Sequence, residues 1–147
     1  MSQAGPAVDL DTSVGYRLKQ ATAVLHAAME DVLRPLGLSI TQYSTLELLA
    51  QRPGMSSAGL ARGAFVTRQS MSLVLQGLES GGLVVKQERP SVGRVLPVEL
   101  TAAGRERLAA ASAAVRSVED RMRSGFDDGD ARRLAALLDR CVEGLRG

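Results

Sequence analysis

The sequence predicts a mainly α-helical chain with one small β-hairpin, and three observations carry that prediction. Apolar residues recur at steps of three and four along both ends of the 147 residues. Between those ends lie three shorter helical patterns, each closed by glycine or proline. One segment only, around residues 83–100, switches to β-branched and apolar residues flanking a polar loop.

Residues 1–10 are small and polar and read as a flexible arm. Asp11-Thr12-Ser13 supplies N-cap chemistry for a first helix reaching Leu33, just before Pro35. Its stripe is Val14, Leu18, Ala21, Leu25, Ala28 and Val32, a heptad spacing. A second helix is expected from near Thr41 to the Pro53-Gly54 break, burying Leu46, Leu49 and Ala50. A short third helix follows Ser56 through Arg62 and is broken by Gly63. Thr67 caps a fourth, which buries Met71, Val74, Leu75 and Leu78 and stops at Gly81-Gly82. Leu83 to Val85 and Val95 to Leu100 then form a hairpin around the polar loop from Gln87 to Arg94. Thr101 caps a long alanine-rich helix with the stripe Leu108, Ala111, Val115, Val118 and Met122, ending at Ser124-Gly125. Asp127, Asp128 and Asp130 favour the N-terminus of a last helix striped by Leu134, Leu138, Cys141 and Leu145.

Composition narrows the function. Aromatic residues are 3% of the chain and Trp is absent, so stacked-base platforms and aromatic cages are poorly supplied. One Cys and one His rule out a disulfide framework, a CxxC pair and a His-x-x-x-His motif, and neither a P-loop nor a GxSxG elbow occurs. No enzyme chemistry, cofactor or metal is therefore expected. No apolar run of about 18 residues could span a bilayer, and the N-terminus lacks signal-peptide character, so a cytoplasmic protein without membrane contact is expected. The net charge of +2 is uneven: residues 52–94 hold Arg52, Arg62, Arg68, Lys86, Arg89 and Arg94 against Glu79 and Glu88, a local +4, which leaves −2 elsewhere.

Short helix, break, second helix and hairpin is the order of a winged helix-turn-helix. A helix fits the major groove of double-stranded DNA, and its N-terminus offers backbone N–H groups, a positive dipole and side chains that reach base edges. The fourth helix opens Thr67-Arg68-Gln69-Ser70-Met71-Ser72. Gln69 suits bidentate contact with adenine, Arg68 guanine or phosphate, and Ser70 and Ser72 either. Thr67, and Ser56 at the start of the third helix, complete the expected DNA-facing set with Arg89 and Arg94 in the loop, placed to probe the minor groove or phosphates. The plain structural alternatives are that Thr67 is only an N-cap, its neighbours decorate an exposed face, and the loop arginines protect a sheet edge.

The ordered series Leu38-Ser39-Ile40-Thr41-Gln42-Tyr43, Leu46, Leu60-Ala61-Arg62, Val66-Thr67-Arg68-Gln69-Ser70-Met71, Leu78-Glu79, Gly82-Leu83-Val84, Arg94 and Val98-Glu99-Leu100-Thr101-Ala102-Ala103-Gly104 resembles the MarR (multiple antibiotic resistance regulator) family, over about residues 11–145. The resemblance implies a winged helix-turn-helix at 38–100 and a helical dimerisation bundle from 11–37 and 101–147. It implies a homodimeric regulator, most often a repressor, that reads DNA with the fourth helix and senses a small aromatic effector. Two positions depart from the family pattern: Val92 stands where an Asp often braces the wing Arg matching Arg94, and Leu73 where many members carry Arg or a polar residue.

The heptad stripes at both ends point to dimerisation independently, because the short central helices offer too little apolar area to cover them. Twofold symmetry then sets two reading helices about 34 Å apart on an inverted-repeat operator. The alternative from another class is a winged-helix protein-interaction module without DNA readout. His26 fits either a ligand cleft or the edge of the bundle, and Cys141 either a buried thiol or a redox sensor. Tyr16, Arg17, Met29 and Tyr43 are candidates for an effector pocket.

Overall fold

The computed structural model describes residues 5–87 and 98–147. The elements run α1 (Val14–Leu33), a single 3-10 turn (Arg34–Leu36), α2 (Ile40–Gln51), α3 (Ser57–Gly63), α4 (Arg68–Ser80), β1 (Val84–Lys86), β2 (Val98–Leu100), α5 (Ala102–Met122) and α6 (Asp130–Arg146). The mainly helical architecture with a two-stranded hairpin is thus the expected one.

Hydroxyl side chains start most of these helices. Ser13, Ser39, Ser56 and Thr67 each accept a hydrogen bond from the backbone N–H three residues on, and Gln42 closes a capping box on Ser39. The capping box places the α2 start at Ile40. One further boundary and one burial differ from expectation. α3 continues through Gly63, and the reversal falls at Ala64 and Phe65, the latter at φ 61. Ala50 is exposed rather than buried, because it lies next to the end of α2 where no helix covers it.

Two compact units are present, residues 1–115 and 116–147, and the division falls inside α5. The first holds a core in which Leu33, Leu46, Leu60, Met71 and Leu78 are fully buried, joined by Leu75, Leu83, Val84, Leu100, Leu108 and Ala111. Val74 and Val115 pack against it half-buried. Among the described residues one polar side chain lies within: Thr45 donates from Oγ1 to the Thr41 carbonyl at 2.7 Å, so its burial leaves no hydroxyl unsatisfied.

The hairpin is antiparallel, pairing Val84 with Leu100, Val85 with Glu99 and Lys86 with Val98. Thr101 anchors its open end. Its N–H donates to the Leu83 carbonyl at 3.0 Å and its hydroxyl to the Gly82 carbonyl at 2.6 Å, while Oγ1 accepts from Gly104 N at 3.0 Å to cap α5. α5 therefore starts against Gly82 and Leu83, the two residues that lead into β1, and Gly104 permits the approach: a Cβ there would meet the Leu83 carbonyl oxygen at 2.0 Å.

The second unit contains the end of α5 and all of α6. Asp130 Oδ2 accepts from Asp127 N at 2.7 Å, which agrees with the helix-start role read for these acids. Gly129, at φ 91, turns the chain into α6. None of the described helices is long and apolar enough to cross a membrane.

Candidate nucleic-acid interface

The candidate interface is built on α4. Its thirteen residues bury Met71, Leu75 and Leu78 on one side, which fixes the opposite side outward. At 3.6 residues per turn, Gln69, Leu73 and Gln76 fall on the stripe facing away from that core, with Ser72 beside it, while Arg68 sits at the helix start in line with Leu75. Thr67, Arg68, Gln69, Ser70 and Ser72 are all exposed. The structure thus brings these five predicted residues together within the first turns of one helix. Thr67 has a structural duty there: Oγ1 accepts from Ser70 N and donates to Ser70 Oγ, both at 3.0 Å.

Ser56 is set apart. It is half-buried as the α3 cap, with Oγ accepting from Gly59 N at 3.0 Å. Arg89 and Arg94 lie outside the described residues, as does Val92.

The electrostatics of α4 are specific. Its first turn carries no acid, so the positive end of the dipole is uncompensated, and Arg68 adds a cation at the first helical position. A cation there opposes the dipole at a cost of roughly 0.3–1 kcal/mol, and an anion beside it reverses the sign. Arg62 and Arg68 share no ion pair with other described residues. Lys86 lies 3.9 Å from Glu79, a half-exposed pair of little energetic weight.

Among the described residues, two clefts border α2. One of about 720 Å³ is lined by Leu49, Met55, Leu100 and Leu108, with Arg105 and Glu99 as its charged members; Ala50 and Ser56 sit on it. The other, of about 740 Å³, joins His26, Glu30 and Arg34 of α1 to the start of α2 and the Ala64–Val66 turn. Tyr16, Arg17, Met29 and Tyr43, the effector-pocket candidates, line neither cleft. Arg17 instead donates to the Asp11 carbonyl, and Met29 packs against the core. His26 is exposed and Cys141 half-buried.

One cluster had no sequence signal beyond spacing along α2. Glu47 Oε2 accepts from Tyr43 Oη at 2.7 Å and from Ser112 Oγ of α5 at 2.8 Å, and its Oε1 accepts from Gln51 Nε2 at 2.8 Å. The Tyr43 and Gln51 spacings of four are visible in the sequence, but the Ser112 contact across 65 positions is not.

The MarR family model matches residues 36–95. The HTH-type transcriptional repressor Rv2887 of Mycobacterium tuberculosis is 39% identical over 130 residues, 88% of this chain and 94% of that protein. Its crystal structure in complex with DNA aligns at a TM-score of 0.71 with 37% identity, covering 89% of this chain and 98% of the other. Its complex with p-aminosalicylic acid gives 0.72 and 38%, covering 88% and 98%. The transcriptional repressor CouR bound to a 23-mer DNA duplex gives 0.81 at 27% identity, over 93% and 99% of the two chains. Fold, helix order and near-full-length identity agree, and the chain belongs to the MarR family.

Proposed function

We propose that this protein is a transcriptional regulator, a repressor, that binds double-stranded DNA sequence-specifically as a homodimer on an inverted repeat. The observation that carries the reading is the exposed first half of α4, where Arg68, Gln69, Ser70 and Ser72 surround an uncompensated helix N-terminus. A phosphate or base edge relieves the repulsion that Arg68 otherwise creates. Residues 38–100 serve as the reading part, with Arg89 and Arg94 reaching the backbone or minor groove. DNA complexes of Rv2887 and CouR support this reading.

Dimerisation rests on 11–37 and 101–147. α6 exposes Leu134, Leu137, Val142 and Leu145, the last at 91%, and α1 exposes Val14 and Leu18. Helical faces of that composition bury against other helices, and a second copy supplies them. The 720 Å³ cleft is the proposed effector site, since its volume suits a small aromatic ligand and Arg105 suits an acid group. An occupant there touches the end of α2, the start of α3, β2 and α5 together, so it biases the spacing of the two reading helices. The salicylic and p-aminosalicylic acid complexes of Rv2887 support that ligand class.

The test is recovery of DNA by the purified protein from a random pool, followed by affinity measurement against salt. A dimer neutralising about 6–10 phosphates loses on the order of 10³–10⁵ in affinity between about 50 and 200 mM salt. Arg68→Ala weakens binding across sequences, whereas Gln69→Ala relaxes preference at one base position per half-site. Failure to enrich any sequence, together with retention of a protein partner, refutes the reading in favour of a protein-interaction module.

A further inference from the structure

We propose that Leu73 is a base-reading residue that selects thymine through its 5-methyl group, within about two base steps of the position contacted by Gln69. The inference rests on the DNA-binding reading above. Leu73 is 64% exposed on the outward stripe of α4, one turn beyond Gln69 and ahead of Gln76. A lone exposed leucine elsewhere on a surface is unremarkable. Here it occupies the middle of the face pointing away from Met71, Leu75 and Leu78, the face that α4 is free to present to a groove.

The chemistry then narrows the base. Leu73 offers no donor or acceptor, and opposite guanine, cytosine or adenine it strips water from a polar base edge with no hydrogen bond in return. Thymine is the base that presents an apolar group in the major groove. The spacing follows from helix geometry. Four residues at 1.5 Å separate Gln69 from Leu73 by about 6 Å along α4, and base pairs stack at about 3.4 Å, so the two side chains address positions no more than about two steps apart along the duplex axis. Gln69 reads a hydrogen-bonding edge and Leu73 a methyl group, which together define a short asymmetric half-site.

Full-length protein selects duplexes from a random pool, and each conserved thymine in the selected sequence is replaced in turn by deoxyuridine, in both half-sites together. Deoxyuridine removes the methyl group and leaves pairing unchanged. Burial of one methyl, at about 0.8 kcal/mol, corresponds to about a four-fold loss per half-site at a single position. Leu73→Ala is expected to bind the thymine and deoxyuridine duplexes equally, with its thermal midpoint unchanged because the side chain is exposed. Arg68→Ala, weakened overall, is expected to keep the thymine preference. Wild-type protein that selects a sequence yet is indifferent to every replacement overturns the Leu73 assignment while the DNA-binding reading stands, as does a Leu73→Ala protein that retains the preference. Wild-type protein that selects no sequence overturns both.

Discussion

Gly104→Ala is a sensitive test of how α5 is joined to the hairpin. An added Cβ would lie 2.0 Å from the Leu83 carbonyl oxygen and 3.0 Å from its carbon, against 3.4 Å for ordinary contact. The obstacle is backbone, so no side-chain rotation relieves it, and the first turn of α5 must retreat by about 1.4 Å. That movement carries the two Thr101 bonds, now 3.0 and 2.6 Å long, beyond hydrogen-bonding distance. Two such bonds contribute about 1 kcal/mol each. Forced displacement around packed Leu83, Val84, Leu100 and Leu108 adds about 1–3 kcal/mol. The better helix propensity of alanine returns about 1 kcal/mol. The expected net destabilisation is about 2–4 kcal/mol, read from urea denaturation at one fixed protein concentration, since association contributes to the stability of any oligomer. Gly144→Ala is the matched control: its Cβ meets nothing within 4 Å, and a stabilisation of about 0.5–1 kcal/mol is expected. A Gly104→Ala protein within about 0.5 kcal/mol of wild type would falsify this account of the joint, because a loss that small is typical of an unconstrained surface site.

Three further substitutions probe α4 and the turn that precedes it. Phe65→Gly removes a bulky residue from a left-handed conformation at 93% exposure and is expected to raise the urea-denaturation free energy by about 1 kcal/mol; a lower value contradicts the strain. Thr67→Ala withdraws the acceptor from Ser70 N and should cost about 1 kcal/mol in the same assay, with no loss refuting the cap. Met71→Ala empties a fully buried position beneath α4 and should cost about 2–5 kcal/mol, and calorimetry showing an unchanged midpoint would count against the packing described.

Local chemistry explains why much of this fold was legible. Ser13, Ser56, Thr67 and Thr101 announce helix starts because their hydroxyls satisfy backbone N–H groups a few residues away, all within a short window of sequence. Met71, Leu75 and Leu78 announce a buried face for the same reason of periodicity. Phe65 misled because the left-handed turn it occupies usually carries glycine, and Gly63, two residues earlier, drew the break to itself. Ala50 misled because periodicity identifies a face of a helix, whereas burial near a helix end depends on what lies opposite. The exposed residues from Thr67 to Ser72 were placed together by their own helix, so that part of the site needed no tertiary information. Glu47 with Ser112, the Gly104 contact with Leu83 and both clefts are long-range juxtapositions, and no spacing rule reaches them.

The Thr101 joint has an evolutionary consequence. With the Thr101 hydroxyl on Gly82 and the three-pair ladder below it, the ends of the segment between Lys86 and Val98 are held by groups outside that segment. Its closure entropy then grows only logarithmically with length: doubling the eleven residues from 87 to 97 costs about 0.6 kcal/mol. A change of length between Lys86 and Val98 therefore carries only a small closure cost, whereas a change at Gly82, Leu83, Thr101 or Gly104 strikes the joint itself. Such an arrangement lets residues between Lys86 and Val98 change in number and charge while the joint that seats α5 beside the two strands stays where it is.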